Sequence, residues 1–122
     1  MEHSIEADEE FLRVRVSGRD TNTPPSEVCA EVLRESVRLG RMRILIELDQ
    51  KFPLSPASQY QLVTRLPELG LMAQHRIALV HRKPEAQKAN EFIDVVAGNR
   101  GIQMRNFPSV EEAKAWLRTQ AA

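Results

Sequence analysis

Two short stretches constrain this chain more than anything else in it. Ile44, Leu45, Ile46 and Leu48 form an apolar run interrupted only by Glu47, and Ile77, Ala78, Leu79 and Val80 form a second. Runs this short and apolar on both sides fit central strands covered above and below, the pattern of parallel sheets in α/β proteins. Whatever surrounds them must supply two covering layers.

The flanking segments read as the remaining pieces of such a sheet. From Phe11 to Val16, Leu12, Val14 and Val16 alternate with Arg13 and Arg15, the period of two expected of a strand with one wet face, near a sheet edge. Ser4 to Ala7 can pair back onto it through an acidic turn at Asp8 and Glu9, as an amino-terminal hairpin. Thr23, Pro24 and Pro25 then open a helix, with Thr23 as its cap, running to about Leu39. Cys29, Val32, Leu33, Ser36 and Val37 fall on its inner face, and Gly40 suits a left-handed stop.

Between the two central runs, Ser55 or Ser58 can begin a helix carrying Leu62, Val63 and Leu66 inward, with Ser58 and Gln61 matching a capping box. Pro67 is expected to kink or end it. A third helix starts near Pro84, presents Ala86, Ala89, Phe92, Ile93, Val96 and Ala97 on one side, and ends at Gly98 before a turn through Gly101. Ile102 to Phe107 reads as another edge strand. Ser109 and Glu112 form a capping box for a last helix with Val110, Ala113, Trp116 and Leu117 inward. An initial hairpin followed by alternating helix and strand gives an α/β fold with a mainly parallel sheet of four to five strands and four main helices, in one domain over residues 1–122.

Charge and cysteine content narrow the setting. Seventeen basic and seventeen acidic side chains cancel, so no global field draws the chain to nucleic acid or anionic lipid. Cys29, the single cysteine, has no internal disulfide partner, and no apolar run follows a basic start. A cytoplasmic protein without a membrane span is expected.

The search for chemistry returns few candidates. The chain has no phosphate-binding glycine loop, no paired-cysteine metal site and no histidine pair at helical ligand spacing. Cys29 on a helix's apolar face reads as a small core residue, and His3 and His75, lacking an evident partner, read as surface residues. Glu47 and Asp49 flank Leu48 on one side of a strand, which suits a solvated strand end better than an acid/base pair. No catalytic residue, metal or cofactor is assigned, and an enzyme is not expected.

The best site is positional. Ligands of parallel α/β sheets favour the carboxyl ends of strands and the amino ends of the helices that follow. Asp49, Gln50, Lys51 and Ser55 follow the first central run, while His81, Arg82 and Lys83 follow the second. Together they could hold a carboxylate or phosphate. Phe52, Pro53, Leu54, Ser55 and Pro56, with Tyr60 beyond, form an apolar segment where a polar loop is normal. It either tucks into the core or forms a lip for a partner or pocket.

The strand Arg43 to Leu48, the strand Arg76 to Val80 and the ending Phe107 to Leu117, with its aromatic strand terminus and Trp116-Leu117 pair, resemble the small bacterial SpoIIAA-like proteins. These are related in fold to the STAS domains of anti-sigma-factor antagonists and sulfate transporters. The resemblance implies a β-α superhelix with strands in sequence order, a regulatory or protein-interaction role and no catalytic activity. The antagonists' phosphorylated serine follows an aspartate in a turn, but here Asp49 is not followed by serine and glycine. That switch does not carry over to Ser55 or Ser58.

Strands in sequence order with right-handed crossovers gather helices on one face, so the other needs a cover. The expected candidates are the Phe52 to Tyr60 segment, a second copy in a homodimer, or an apolar ligand. The leading reading is therefore a homodimeric interaction module, or one engaging another protein. The alternative is a carrier of a small apolar, lipid-like molecule lined by Phe52, Leu54, Tyr60 and Trp116.

Overall fold

A computed structural model describes residues 2–17, 24–49, 55–84, 88 and 91–119. Strand β1 (Glu2–Ala7) pairs antiparallel with β2 (Leu12–Ser17), and β3 (Arg43–Asp49), β4 (Arg76–His81) and β5 (Met104–Phe107) follow in parallel. The sheet order β1-β2-β3-β4-β5 is the order of the sequence. Helices α1 (Pro25–Leu39), α2 (Pro56–Leu69), α3 (Glu91–Asn99) and α4 (Val110–Arg118) alternate with the strands from β2 onward. Over the described residues the chain is thus an α/β fold, a mainly parallel sheet with an amino-terminal hairpin and the helices named, as the two central runs and their flanks suggest.

The β1–β2 turn is built on Asp8, whose Oδ1 accepts from the Glu10 and Phe11 backbone N–H groups at 2.8 and 2.7 Å. Helix α1 stops at Gly40, whose φ of 67° is the left-handed conformation that costs glycine least. Ser55, not Ser58, caps α2: its Oγ accepts from Ser58 N at 3.2 Å. Pro67 does not end α2, because it lies in the last turn, and the helix continues to Leu69 before Gly70. Ser109 caps α4 through Glu112 N, as its capping box predicts.

Strand alternation divides the core into two. On the first face, Leu12, Val14, Val16, Ile44, Ile46, Ile77, Leu79 and Met104 meet Val28, Val32 and Leu33 of α1, Val63 and Leu66 of α2, and Ile93, Val96 and Ala97 of α3. On the second, Phe11, Leu45, Ala78, Val80 and Phe107 meet Ala113 and Leu117 of α4, with Val110 and Trp116 at the margin. The cover that sequence-order strands require is therefore the chain's own α4. Farther out on this face, the remaining half carries Arg13, Arg15 and Glu47 in place of apolar side chains.

Several inward assignments need correction. Val37 is 51% exposed while Val28 is buried, because the inner stripe of α1 runs through positions 28, 32, 33 and 36. Phe92 points outward at 37% exposure, and α3 ends at Asn99 with Gly101 turning the chain. Leu62 is only half-buried, with Gln59 taking a buried place on α2. Thr23, Ala86 and Ala89 lie outside the described residues.

Candidate functional site

The sheet's carboxyl end opens into a depression of about 340 Å³, lined by His3, Ser4, Arg15, Val16, Ser17, Glu47, Leu48, Asp49 and Arg82. Register explains the grouping. Ser4 stands opposite Arg15 across the hairpin, Arg15 lies beside Glu47, and Ser17 lies beside Asp49. Arg82 is drawn in because its backbone N–H donates to Leu48 O at 3.2 Å as the chain leaves β4.

The charges here are unequally committed. Both oxygens of Glu47 are taken, one by Arg13 Nη2 at 3.1 Å and the other by Arg15 Nε at 3.0 Å. That engages Arg15's Nε, yet its side chain is 74% exposed and lines the depression. Arg82 is held loosely, 3.9 Å from Asp49 and equally exposed. The arrangement offers two guanidinium forks next to one solvated carboxylate, suited to grasping carboxylate or phosphate oxygens. Glu47, paired at both oxygens, is poorly placed to act as a base.

Of the residues singled out in the sequence, Asp49 and Arg82 meet here, and Lys83, the next residue along the chain, is exposed. His81 does not. It is buried as the last residue of β4, where its Nε2 donates to Asn106 Oδ1 at 2.9 Å, and Asn106 in turn donates through N and Nδ2 to Asp94 Oδ1 at 2.9 and 3.0 Å. Burial pushes the His81 pKa down, against the Asn106 bond, and pushes that of Asp94 up. Ser55 is occupied as the α2 cap. Tyr60 sits on the outer side of α2, where Arg100 Nη2 donates to its hydroxyl at 3.0 Å. Lys51, Phe52 and Leu54 lie outside the described residues.

Tyr60 and Trp116 belong to helices on opposite faces of the sheet, so they line no common cavity. Trp116 packs instead against Phe107, with ring centroids 5.3 Å apart, beneath the Arg76 guanidinium at 4.2 Å. Arg76 donates to Gln103 Oε1, Trp116 O and Thr119 Oγ1, tying α4 to β4.

His75 and His3 overturn the surface reading. His75 is 2% exposed, and its Nδ1 accepts from Met72 N at 2.8 Å. A backbone N–H can only donate, so the neutral ring carries its proton on Nε2 and donates it to Ser36 Oγ at 3.1 Å. Ser36 then donates to Arg41 O. A serine beside a histidine suggests a nucleophile and base, but this imidazole faces the serine with its proton, and both groups are buried. Desolvation pushes the His75 pKa below its ordinary value. His3 donates to the Glu31 carboxylate and joins β1 to α1.

Cys29 packs against the first-face core, and burial pushes its thiol up to about 11, far from a reactive thiolate. Among the described residues no group of His, Cys, Asp and Glu is arranged to hold a metal, and no helix is long and apolar enough to cross a membrane.

His3, Ser4, Arg15 and Ser17 were missed as site residues. The alternating Arg13 and Arg15 are the signal that points to them, since strand alternation sets both on the face that α4 leaves bare. No family model, curated protein or solved structure matches this chain.

Proposed function

We propose that this chain is a non-enzymatic interaction module of the SpoIIAA-like type, which engages an acidic segment of a protein partner at the carboxyl-end depression. The observation that carries this reading is the pair of exposed guanidiniums, Arg15 and Arg82, facing one depression. They stand where parallel α/β sheets receive ligands. The strand order and the alternation of helices agree with what the resemblance implies, and fold likeness alone says nothing of the partner. A non-catalytic role is supported by the double pairing of Glu47 and by the direction of the Ser36–His75 bond.

The test is a ¹H–¹⁵N NMR titration with a short glutamate-rich peptide, using the Arg15→Ala/Arg82→Ala double variant as control. Saturable shifts at Ser17, Leu48, Asp49 and Arg82 that vanish in the double variant are expected. Shifts absent from these amides, or unchanged without the two arginines, refute the reading.

A further inference from the structure

The two edges of the sheet differ in how they are protected. β5 is four residues long, carries the exposed Arg105 and is followed by Pro108, features that discourage a further strand. β1 runs six residues, pairs one-for-one with β2 without a bulge and contains no Lys, Arg or Pro. At its centre is Ile5, half-buried and packed against the first-face core. Among the described residues no strand lies on its outer side.

We propose that this edge receives β1 of a second copy, antiparallel across a two-fold axis, joining two five-stranded sheets into one. Opposite residues of an antiparallel pair point to the same side, which restricts the register. Centring the axis on Ser4 sets the positions of Glu2 and Glu6 against each other, and centring it on Glu6 sets that glutamate against itself. With Ile5 at the centre, Ile5 meets Ile5, His3 meets Ala7, and the Ser4 hydroxyl stands opposite the Glu6 carboxylate, to which it can donate.

The same register brings α1 alongside its copy with complementary charge. The β1 side of α1 is marked by Glu31, which holds His3. Helical spacing places Glu27 before it and Arg34, Glu35 and Arg38 after it on that stripe, where Arg38 Nε donates to Glu35 Oε2 at 2.6 Å and leaves its terminal amino groups for a second carboxylate. Glu27, Arg34 and Arg38 are exposed. α1 runs parallel to β1, so Ile5, two residues and about 6.6 Å beyond His3, is level with roughly the fourth residue after Glu31. A two-fold axis at that level sets Glu31 of each copy opposite Leu39 of the other, one residue and about 1.5 Å along the helix from Arg38, whose long side chain covers that offset. The β2 strands beneath the helices are then three strand spacings apart, roughly 14 Å, a gap that glutamate and arginine side chains bridge from both sides. This surface shares His3 and Ser4 with the carboxyl-end depression, but its strand pairing uses the outer edge of β1 and needs neither Arg15 nor Arg82.

Sedimentation velocity of the full chain from micromolar to near-millimolar concentration tests the proposal, with circular dichroism confirming that each variant is folded. A reversible dimer is expected. Arg38→Glu and Glu31→Arg, each alone, weaken it by about tenfold, and the double exchange restores it, because surface pairs are individually modest but act twice across the axis. A monomer at every concentration overturns the proposal. So does a dimer indifferent to the single variants, or one that the double exchange fails to rescue.

Discussion

Replacing Ser36 by alanine removes one hydroxyl that serves two buried groups. In the native fold Ser36 Oγ accepts the His75 Nε2 proton and donates its own to Arg41 O. With the hydroxyl gone, an imidazole N–H at 2% exposure has no partner, and the carbonyl of half-buried Arg41 loses its side-chain donor. Each orphaned buried group costs about 1–3 kcal/mol, with the more exposed carbonyl at the low end, so Ser36→Ala is expected to lose about 3 kcal/mol of stability. At this chain length that corresponds to a fall in Tm of about 10 °C. Urea unfolding followed by Trp116 fluorescence and by far-UV circular dichroism measures it. Thr64→Ala is the control, because it deletes a hydroxyl that bonds Gln61 O on an exposed turn of α2 and should change stability by less than about 0.5 kcal/mol. If Ser36→Ala costs no more than Thr64→Ala, the buried network described here is wrong.

The two buried histidines predict a pH dependence of definite sign. Both His75 and His81 have folded pKa values below the ordinary 6.5, so below that pH the unfolded chain takes up protons that the fold refuses. Their contribution to stability is present above about 6.5 and is lost as pH falls from there into their folded range. His75→Asn/His81→Asn should flatten the slope of unfolding free energy against pH in this window, and an unchanged slope refutes the assignment. Leu117→Ala strips a fully buried side chain from the α4 cover and should cost about 3 kcal/mol by urea unfolding. A loss under about 1 kcal/mol would mean that α4 does not seal the second face.

The sheet could be read directly from the chain because its information is local. Ile44 to Leu48 and Ile77 to Val80 are apolar on both sides and short, and few structures accommodate that besides central strands. Ser109 and Gly40 mark helix ends through contacts within a turn of themselves. The errors concern contacts between distant residues. His75 meets Ser36 across 39 positions and His81 meets Asn106 across 25, so His75 looked solitary where it stood and His81 looked like part of the loop with Arg82 and Lys83. The stripe of α4 was visible, but amphipathicity states only that a helix packs, not on which face of the sheet. Hence the expectation that the Phe52 to Tyr60 segment, a second copy or an apolar ligand covers that face. The depression was half legible: Asp49 and Arg82 follow from the rule for strand ends, whereas Arg15, Ser4 and His3 enter only through the hairpin's register.

Laying the strands down in sequence order has a consequence for how the molecule is made. Each newly synthesised strand finds its place against the one just completed, so from β2 onward the sheet grows from a single side and needs no insertion between existing neighbours. The helix that shields Leu45, Ala78, Val80 and Phe107 is translated only after all five strands. A chain that has paired its five strands without this helix therefore carries a bare oily flank, the kind of transiently exposed surface that favours aggregation before folding is complete.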